Sequence, residues 1–434
     1  MFSHPLINRN DELGPKPSRR RSTPAHTPVQ VSPSPSATAD RVPEPTHDEI
    51  AELYAVAIAD IESNMVSIDG DRYFGAGKVF GPMVYTRDIA YSGLLGLNRL
   101  YPEMMDASLR YTRRVRRDVG WKVPRAVDLQ PLGIACDVLD CTEGEFMRRY
   151  CTNSFPRRTD DVVWIWAAHD LYQTHSEFAD WEWLLNTGAY FFDAFYDRLF
   201  DSEIGLYRGQ ASFIDIHYGS GSLSSGYPSE WSMLDCLRIF ASSTNALYVK
   251  AMKCLGDAAD RVGRPETAAS WISKADHLAA KLRELFILDD GRVTYFLNED
   301  GTPEPRTEAL GACLFVLLGI FEAPTLAETA LNALVWNKHG LSLIQPPWEN
   351  DHFYHNHSSW PFVEAFYYRA AAFLGDDNAL DCGIRQLATS CTPEGNFFEV
   401  TDVRTGQRTG STRQLWTASA YAGLCLERYG KAPT

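Results

Sequence analysis

Residues 307–321 read TEALGACLFVLLGIF. From Gly311 onward every residue is apolar, so a helix here has no face for water and must be enclosed on all sides. Residues 266–286, ETAASWISKADHLAAKLRELF, are the opposite case. Their apolar side chains fall at 268, 271, 272, 275, 278, 279, 282 and 285–286. That is one stripe of period 3.6 with charges opposite, the pattern of a helix lying on a core. The enclosed kind recurs as TRDIAYSGLLGL from Thr86, TDDVVWIWAAHDLY from Thr159, TNALYVKAM from Thr244, SWPFVEAFYYRAAAFLG from Ser359 and TRQLWTASAYAGLCL from Thr412. Each opens on Ser or Thr, whose hydroxyl suits an N-cap. The six starts are separated by 73, 85, 63, 52 and 53 residues, room for one amphipathic helix and two loops per interval. Alternation of six enclosed and several amphipathic helices predicts an all-α chain: a closed toroid of six helical hairpins, enclosed helices inside.

The rest of the chain fits that frame. It has 434 residues, 45% apolar and 22% charged, enough for a large core. Residues 1–46 hold nine of the 24 prolines, with six Lys/Arg against four acids. Such a stretch buries too little surface to offset its ordering entropy, so 1–46 reads as a disordered Pro/Ser-rich tail and 47–434 as the folded helical-toroid domain. Arg19-Arg20-Arg21 reads as a solvated basic knot. The net charge of −15, with +2 in the tail, leaves −17 on the body. A body that acidic repels phosphate backbones and anionic lipid, so neither nucleic acid nor membrane is expected as a partner. No apolar run approaches the roughly 18 residues of a membrane span, and the start has no apolar signal region. Nine cysteines without a C-x-x-C pair read as buried thiols in a reducing, cytoplasmic compartment, with neither disulfide frame nor zinc.

Polar residues open each enclosed helix: Arg87-Asp88, Asp160-Asp161, Asn245, Glu308, the 355–359 stretch and Arg413-Gln414. If the hairpins run in parallel around the ring, these starts converge at one end on a single concave pocket. Asp160 and Asp161 could simply favour the helix dipole, but Trp164 and Trp166 follow within two turns. A carboxyl against aromatic surface has its charged form desolvated and its pKa raised toward that of a general acid. Glu399, in GNFFEVTDVRTGQRTGSTRQLW, could be a solvated loop residue. Its place before the sixth inner helix instead sets it across the ring from the second. Two carboxylates on opposite walls of a sugar-sized pocket are the minimal apparatus of an inverting glycosidase. In YHNHSSWPFVEAF, Pro361 opens a helix. His352, His355 and His357 precede it on a loop, better suited to sugar hydroxyls than to a metal, and Trp360 offers an aromatic platform. Asp215 and Glu230 lie in the irregular 205–232 segment, expected over the pocket mouth, and are secondary candidates.

VYTRDIAYSGLLGL, the TDDVVW helix, PPWENDHFYHNHSSWPF and FFEVTDVRTGQRTGSTRQLWTASAY together resemble the six-hairpin glycosidases with an (α/α)6 barrel. The similarity is to alkaline/neutral invertases and bacterial glycogen-debranching-related proteins, over roughly residues 80 to 428. The resemblance implies an anomer-inverting glycoside hydrolase of small neutral saccharides without metal or organic cofactor. It implies Asp160 as proton donor and Glu399 as general base, with the doubled Asp160-Asp161 leaving two candidates for the acid. Arg87 and Asp88 match a substrate-binding pair, His355, Asn356 and Trp360 a sugar-contacting loop, and Arg413 falls near pocket-lining polar residues. Asp161, Trp164 and Asp215 complete the expected binding set. His357 and Ser358 stand where the invertases carry glycines, which argues against a sucrose pocket. Two other functions fit the same toroid: a sugar epimerase or isomerase working through histidines, and a non-catalytic carbohydrate-binding protein.

Overall fold

The computed structural model describes residues 45–68, 70–81, 84–119, 159–194, 196–214, 226–231, 235, 238–350, 353–392 and 394–433. The expected tail up to residue 44, together with His352 and Asp215, lies outside them. The first helix of the described residues, α1 (His47–Ser63), starts at Thr46, which forms a reciprocal cap: Glu49 N donates to the Thr46 hydroxyl at 3.2 Å and Thr46 N to the Glu49 carboxylate at 2.7 Å.

A hairpin, β1 (Met65–Ile68) and β2 (Asp71–Phe74), precedes α2 (Thr86–Ser92), which runs through a wide turn over Gly93–Leu97 into Asn98–Leu100. The helices that follow are α3 (Pro102–Val119), α4 (Asp160–Thr174), α5 (Trp181–Ala194), α6 (Ser242–Arg261), α7 (Pro265–Phe286), α8 (Ala309–Leu317), α9 (Pro324–Asn332), α10 (Pro361–Phe373), α11 (Ala379–Ala388) and α12 (Leu415–Tyr429). The even-numbered helices touch one another in succession, and α12 returns to α2, which closes the inner ring. Each odd-numbered helix lies outside, and α1 packs on α12 so that the first helix of the described residues completes the last hairpin. This is the (α/α)6 toroid.

Burial follows the two sequence patterns. Ala309 through Val316 of α8 are all buried, and each fully buried Leu or Phe there contributes about 1.5–3 kcal/mol relative to exposure. The apolar run outlasts the helix: α8 stops at Leu317, and Gly319 at φ +63° turns the chain away. In α7 the stripe Ala268, Trp271, Ala275, Leu278, Ala279, Leu282 and Phe286 is buried, while Ile272 at the stripe's edge is exposed.

The expected Ser/Thr caps are corrected. Glu308, not Thr307, caps α8, accepting from Leu310 N at 3.1 Å and Gly311 N at 2.9 Å. Thr244 lies inside α6, Thr412 ends a strand ahead of α12, and the Thr159 hydroxyl meets the Ser212 hydroxyl at 2.6 Å. The Thr159 and Thr244 hydroxyls bind Ser212 and the Gln210 carbonyl across helix boundaries in place of their own first turn.

Candidate active site

Arg87 and Asp88 sit in the first turn of α2, and Asp160 and Asp161 in that of α4. Helix periodicity turns successive residues by about 100°, so neighbours on α4 face different surroundings. Asp161, fully buried, points toward the outer layer. Its Oδ1 pairs with Arg113 Nη1 at 2.5 Å and its Oδ2 accepts from the Tyr196 hydroxyl at 3.1 Å. Asp160, 1% exposed, turns instead to α2, with Arg87 Nε 3.9 Å from its Oδ1. Arg87 Nη1 donates to the Ser212 carbonyl at 3.5 Å. The Ser212 hydroxyl joins Thr159 and Tyr91, so three chain segments meet in one buried polar knot.

Glu399 comes from a small sheet set before α12: β3 (Ser358–Ser359), β4 (Phe398–Asp402) and β5 (Arg408–Thr412). The register slips by one residue between Phe398↔Thr412 and Val400↔Thr409, so Gly410 and Ser411 together oppose Glu399. Bulges of this kind re-aim a side chain. Ser411 N donates to Glu399 Oε2 at 2.8 Å, and the carboxylate lies over Gly410, whose φ of +81° and bare Cα leave the room it occupies. Burial pushes the Glu399 pKa up to about 7. The Ser411 amide and the Tyr354 hydroxyl oppose that rise by bonding to the ionised form, Asp88 adds to it through like charge, and Arg87 counters it. Arg87 and Asp88 on the first inner helix thus share one electrostatic neighbourhood with Glu399, on the strand ahead of the sixth, and with Asp160 on the second.

The 348–360 loop departs from expectation. Asn356 is 2% exposed and spends its amide on the loop itself, accepting from Trp348 N at 2.7 Å and donating to Trp348 O at 3.0 Å and Asn350 O at 3.2 Å. His355 stacks on Trp360 at 5.1 Å and 12°, and Phe213 and Trp416 meet that indole edge-on at 5.2 and 5.6 Å. Trp360, 2% exposed, is therefore a core element with no open face for a sugar. The His357 ring meets the Asn350 carbonyl at 2.9 Å. Among the described residues no three His, Cys, Asp or Glu side chains cluster as a metal site.

Three further placements are corrections. Trp164 points outward: its Nε1 donates to Leu109 O at 3.2 Å, and its ring meets Trp183 edge-on at 5.3 Å. Arg413, at φ +50° and half exposed, turns its Nε to Asn396 Oδ1 at 2.8 Å and lies 3.8 Å from Asp60 on α1. Glu230 is on the surface. The described parts of the 205–232 segment are tied down, since Gly226 O accepts from Tyr295 at 2.9 Å and Trp348 Nε1 at 2.9 Å.

Sequence reasoning missed Tyr354 as a partner of Glu399, although it opens the YHN motif, and missed Arg113 and Ser212 altogether. Arg113 lies in a charged run, ordinarily a solvated face. Glu308, a named helix start, is fully buried with its pKa raised to about 7 by burial, against hydrogen bonds from Ser243, Gly311 and Leu310.

A model described as the mannosylglycerate hydrolase MGH1-like glycoside hydrolase domain matches residues 160–417, more than half of the chain. No curated protein matches by sequence. Among solved structures, the chain is similar to a glycosidase variant in complex with glucose (TM-score 0.60, 15% identity, covering 88% of this chain and 97% of that one). It is also similar to the GH63 mannosylglycerate hydrolase from Thermus thermophilus in complex with Tris and D-glycerate (TM-score 0.58, 16% identity, 86% and 99% covered). A GH78 family rhamnosidase of a Bacillus species shares the fold over 88% of this chain and 35% of its own (TM-score 0.53, 17% identity). With its closed six-hairpin ring and its carboxylates gathered about Arg87, the chain belongs to the mannosylglycerate hydrolase MGH1-like glycoside hydrolase family and is a glycosidase.

Proposed function

We propose that the protein hydrolyses a small neutral saccharide with inversion, Asp160 giving a proton to the glycosidic oxygen and Glu399 activating the attacking water from the opposite face. The observation that carries this reading is the gathering of two buried carboxyls, from the second and sixth hairpins, about the single guanidinium of Arg87. Asp160 is preferred over Asp161 as the acid because Asp161 is already committed to Arg113 and Tyr196.

A base with a pKa of about 7 is as strong as it can be while still ionised at neutral pH. Arg87 can hold Asp160 and bind sugar hydroxyls, and Asp88 keeps Glu399 basic. Two carboxylates complete such a displacement without metal or organic cofactor. Residues His355, Asn356 and Trp360 act in this reading as the frame that presents Tyr354 to Glu399. The described cysteines, all free and buried, support a cytoplasmic setting.

The test is turnover of mannosylglycerate, glucosylglycerate, trehalose, maltose and sucrose, with the first-formed anomer read by proton NMR before mutarotation. Inversion, its loss in Glu399→Gln, and a turnover drop of several orders of magnitude in Asp160→Asn are expected. A retained anomer overturns the mechanism. A strict requirement for the glycerate carboxylate replaces the neutral substrate with an anionic one.

A further inference from the structure

We propose that Arg113, on the outer helix α3, is a positioning residue for catalysis: it clamps the first turns of α2 and α4 and so sets Arg87 against Asp160. The inference rests on the reading of Asp160 as the acid. Arg113 is 4% exposed. Its Nη1 reaches Asp161 Oδ1 at 2.5 Å and its Nη2 reaches Thr86 Oγ1 at 3.1 Å. Thr86 immediately precedes Arg87, and Asp161 immediately follows Asp160. One planar fork therefore grips the side chains of two residues, each next in sequence to a member of the 3.9 Å Arg87–Asp160 pair.

Every side of the clamp is fixed. The guanidinium lies over Trp164 at 4.8 Å and Phe191 at 4.9 Å, and its Nε donates to Thr112 Oγ1 at 3.2 Å. Tyr196 holds the far oxygen of Asp161 at 3.1 Å, and Trp164 Nε1 pins α4 to Leu109 of α3 at 3.2 Å. With Asp161 anchored to Arg113, the 100° step of the helix leaves Asp160 to meet Arg87 of α2. Lysine cannot reproduce this, because a point charge on a flexible stem does not span two acceptors at fixed geometry. A displacement of about 1 Å at a reacting group can cost on the order of a hundredfold in rate.

The clamp acts on proton donation, so it has a signature that lost folding does not. Wild type, Asp160→Asn, Arg113→Lys and Thr86→Val are compared on the best glycoside of the panel and on the fluoride of the same sugar, whose leaving group needs little acid help. Arg113→Lys is expected to lower kcat on the glycoside about 10- to 100-fold, with KM within about twofold and the fluoride reduced by less than about threefold. Thr86→Val, which removes one grip and no charge, should repeat the selectivity more weakly.

Equal losses on both substrates in Arg113→Lys, while Asp160→Asn spares the fluoride, would overturn the clamp and leave the acid assignment standing. Equal losses in Asp160→Asn would instead remove the assignment on which the clamp depends. If Arg113→Lys does not fold, Thr86→Val decides alone: no leaving-group selectivity there sinks the proposal.

Discussion

Arg87 Nε stands 3.9 Å from Asp160 Oδ1, and the same guanidinium stabilises the ionised form of Glu399. One cation, offered by the first turn of α2, thus bears on two carboxyls that arrive from hairpins far apart in the chain. Because Asp88 beside it repels the Glu399 charge, the pair Arg87-Asp88 pulls Glu399 both ways, and burial decides the balance upward.

The pH profile follows from that balance. A general base must be ionised and a general acid protonated, so kcat/KM should rise with pH through about 7 as Glu399 ionises and fall again where Asp160 loses its proton. Tyr354→Phe removes a bond to the ionised form, and the rising limb should move to higher pH. A profile with no rising limb near pH 7, or one that Tyr354→Phe leaves in place, would remove Glu399 as the base.

Stability should carry a mark from Glu308. Its pKa is about 7 folded against 4.5 for an ordinary glutamate, so between those values the folded state holds a proton that the unfolded state has released. Folding is then penalised as pH rises through that window, by on the order of 3 kcal/mol above pH 7. Denaturant unfolding of wild type and Glu308→Gln at pH 5 and pH 8 reads this directly: wild type should lose stability relative to the variant by up to that amount. A difference independent of pH would rule out the buried proton.

Gly410→Ala should damage activity more than fold. At φ +81° an alanine is strained by roughly 1–3 kcal/mol, and its methyl meets the Glu399 carboxylate. Helical circular dichroism should persist while kcat falls more than about tenfold. Unchanged kcat would show that Glu399 has another place to go.

Trp164→Ala should behave as a core deletion, because the ring sits between Arg113 and Trp183 on the outer side of α4. About 3–5 kcal/mol of stability should disappear, with KM unchanged. A raised KM at full folding would return Trp164 to the sugar pocket.

Hydrophobic patterning was sufficient for the architecture. A helix apolar all round, as at 311–317, has to be enclosed, and one striped as at 266–286 has to cover something, so their alternation implies two concentric layers. The same patterning put polar groups at the inner helix starts, which is why Arg87, Asp88, Asp160 and Glu399 were legible as neighbours-to-be. Periodicity reports that a face is buried; it does not report against what. Asp160 and Asp161 are equivalent in sequence, and only the tertiary structure ties one to the Arg113 fork, 48 residues away in the chain, and leaves the other to Arg87. Trp360 and Asn356 stand in a motif that reads as sugar-binding, yet His355 covers the indole and the 348–350 backbone consumes the amide. Such choices among buried partners depend on which side chains the closed ring brings within hydrogen-bonding reach, and that distance exists only once the first helix has packed against the last.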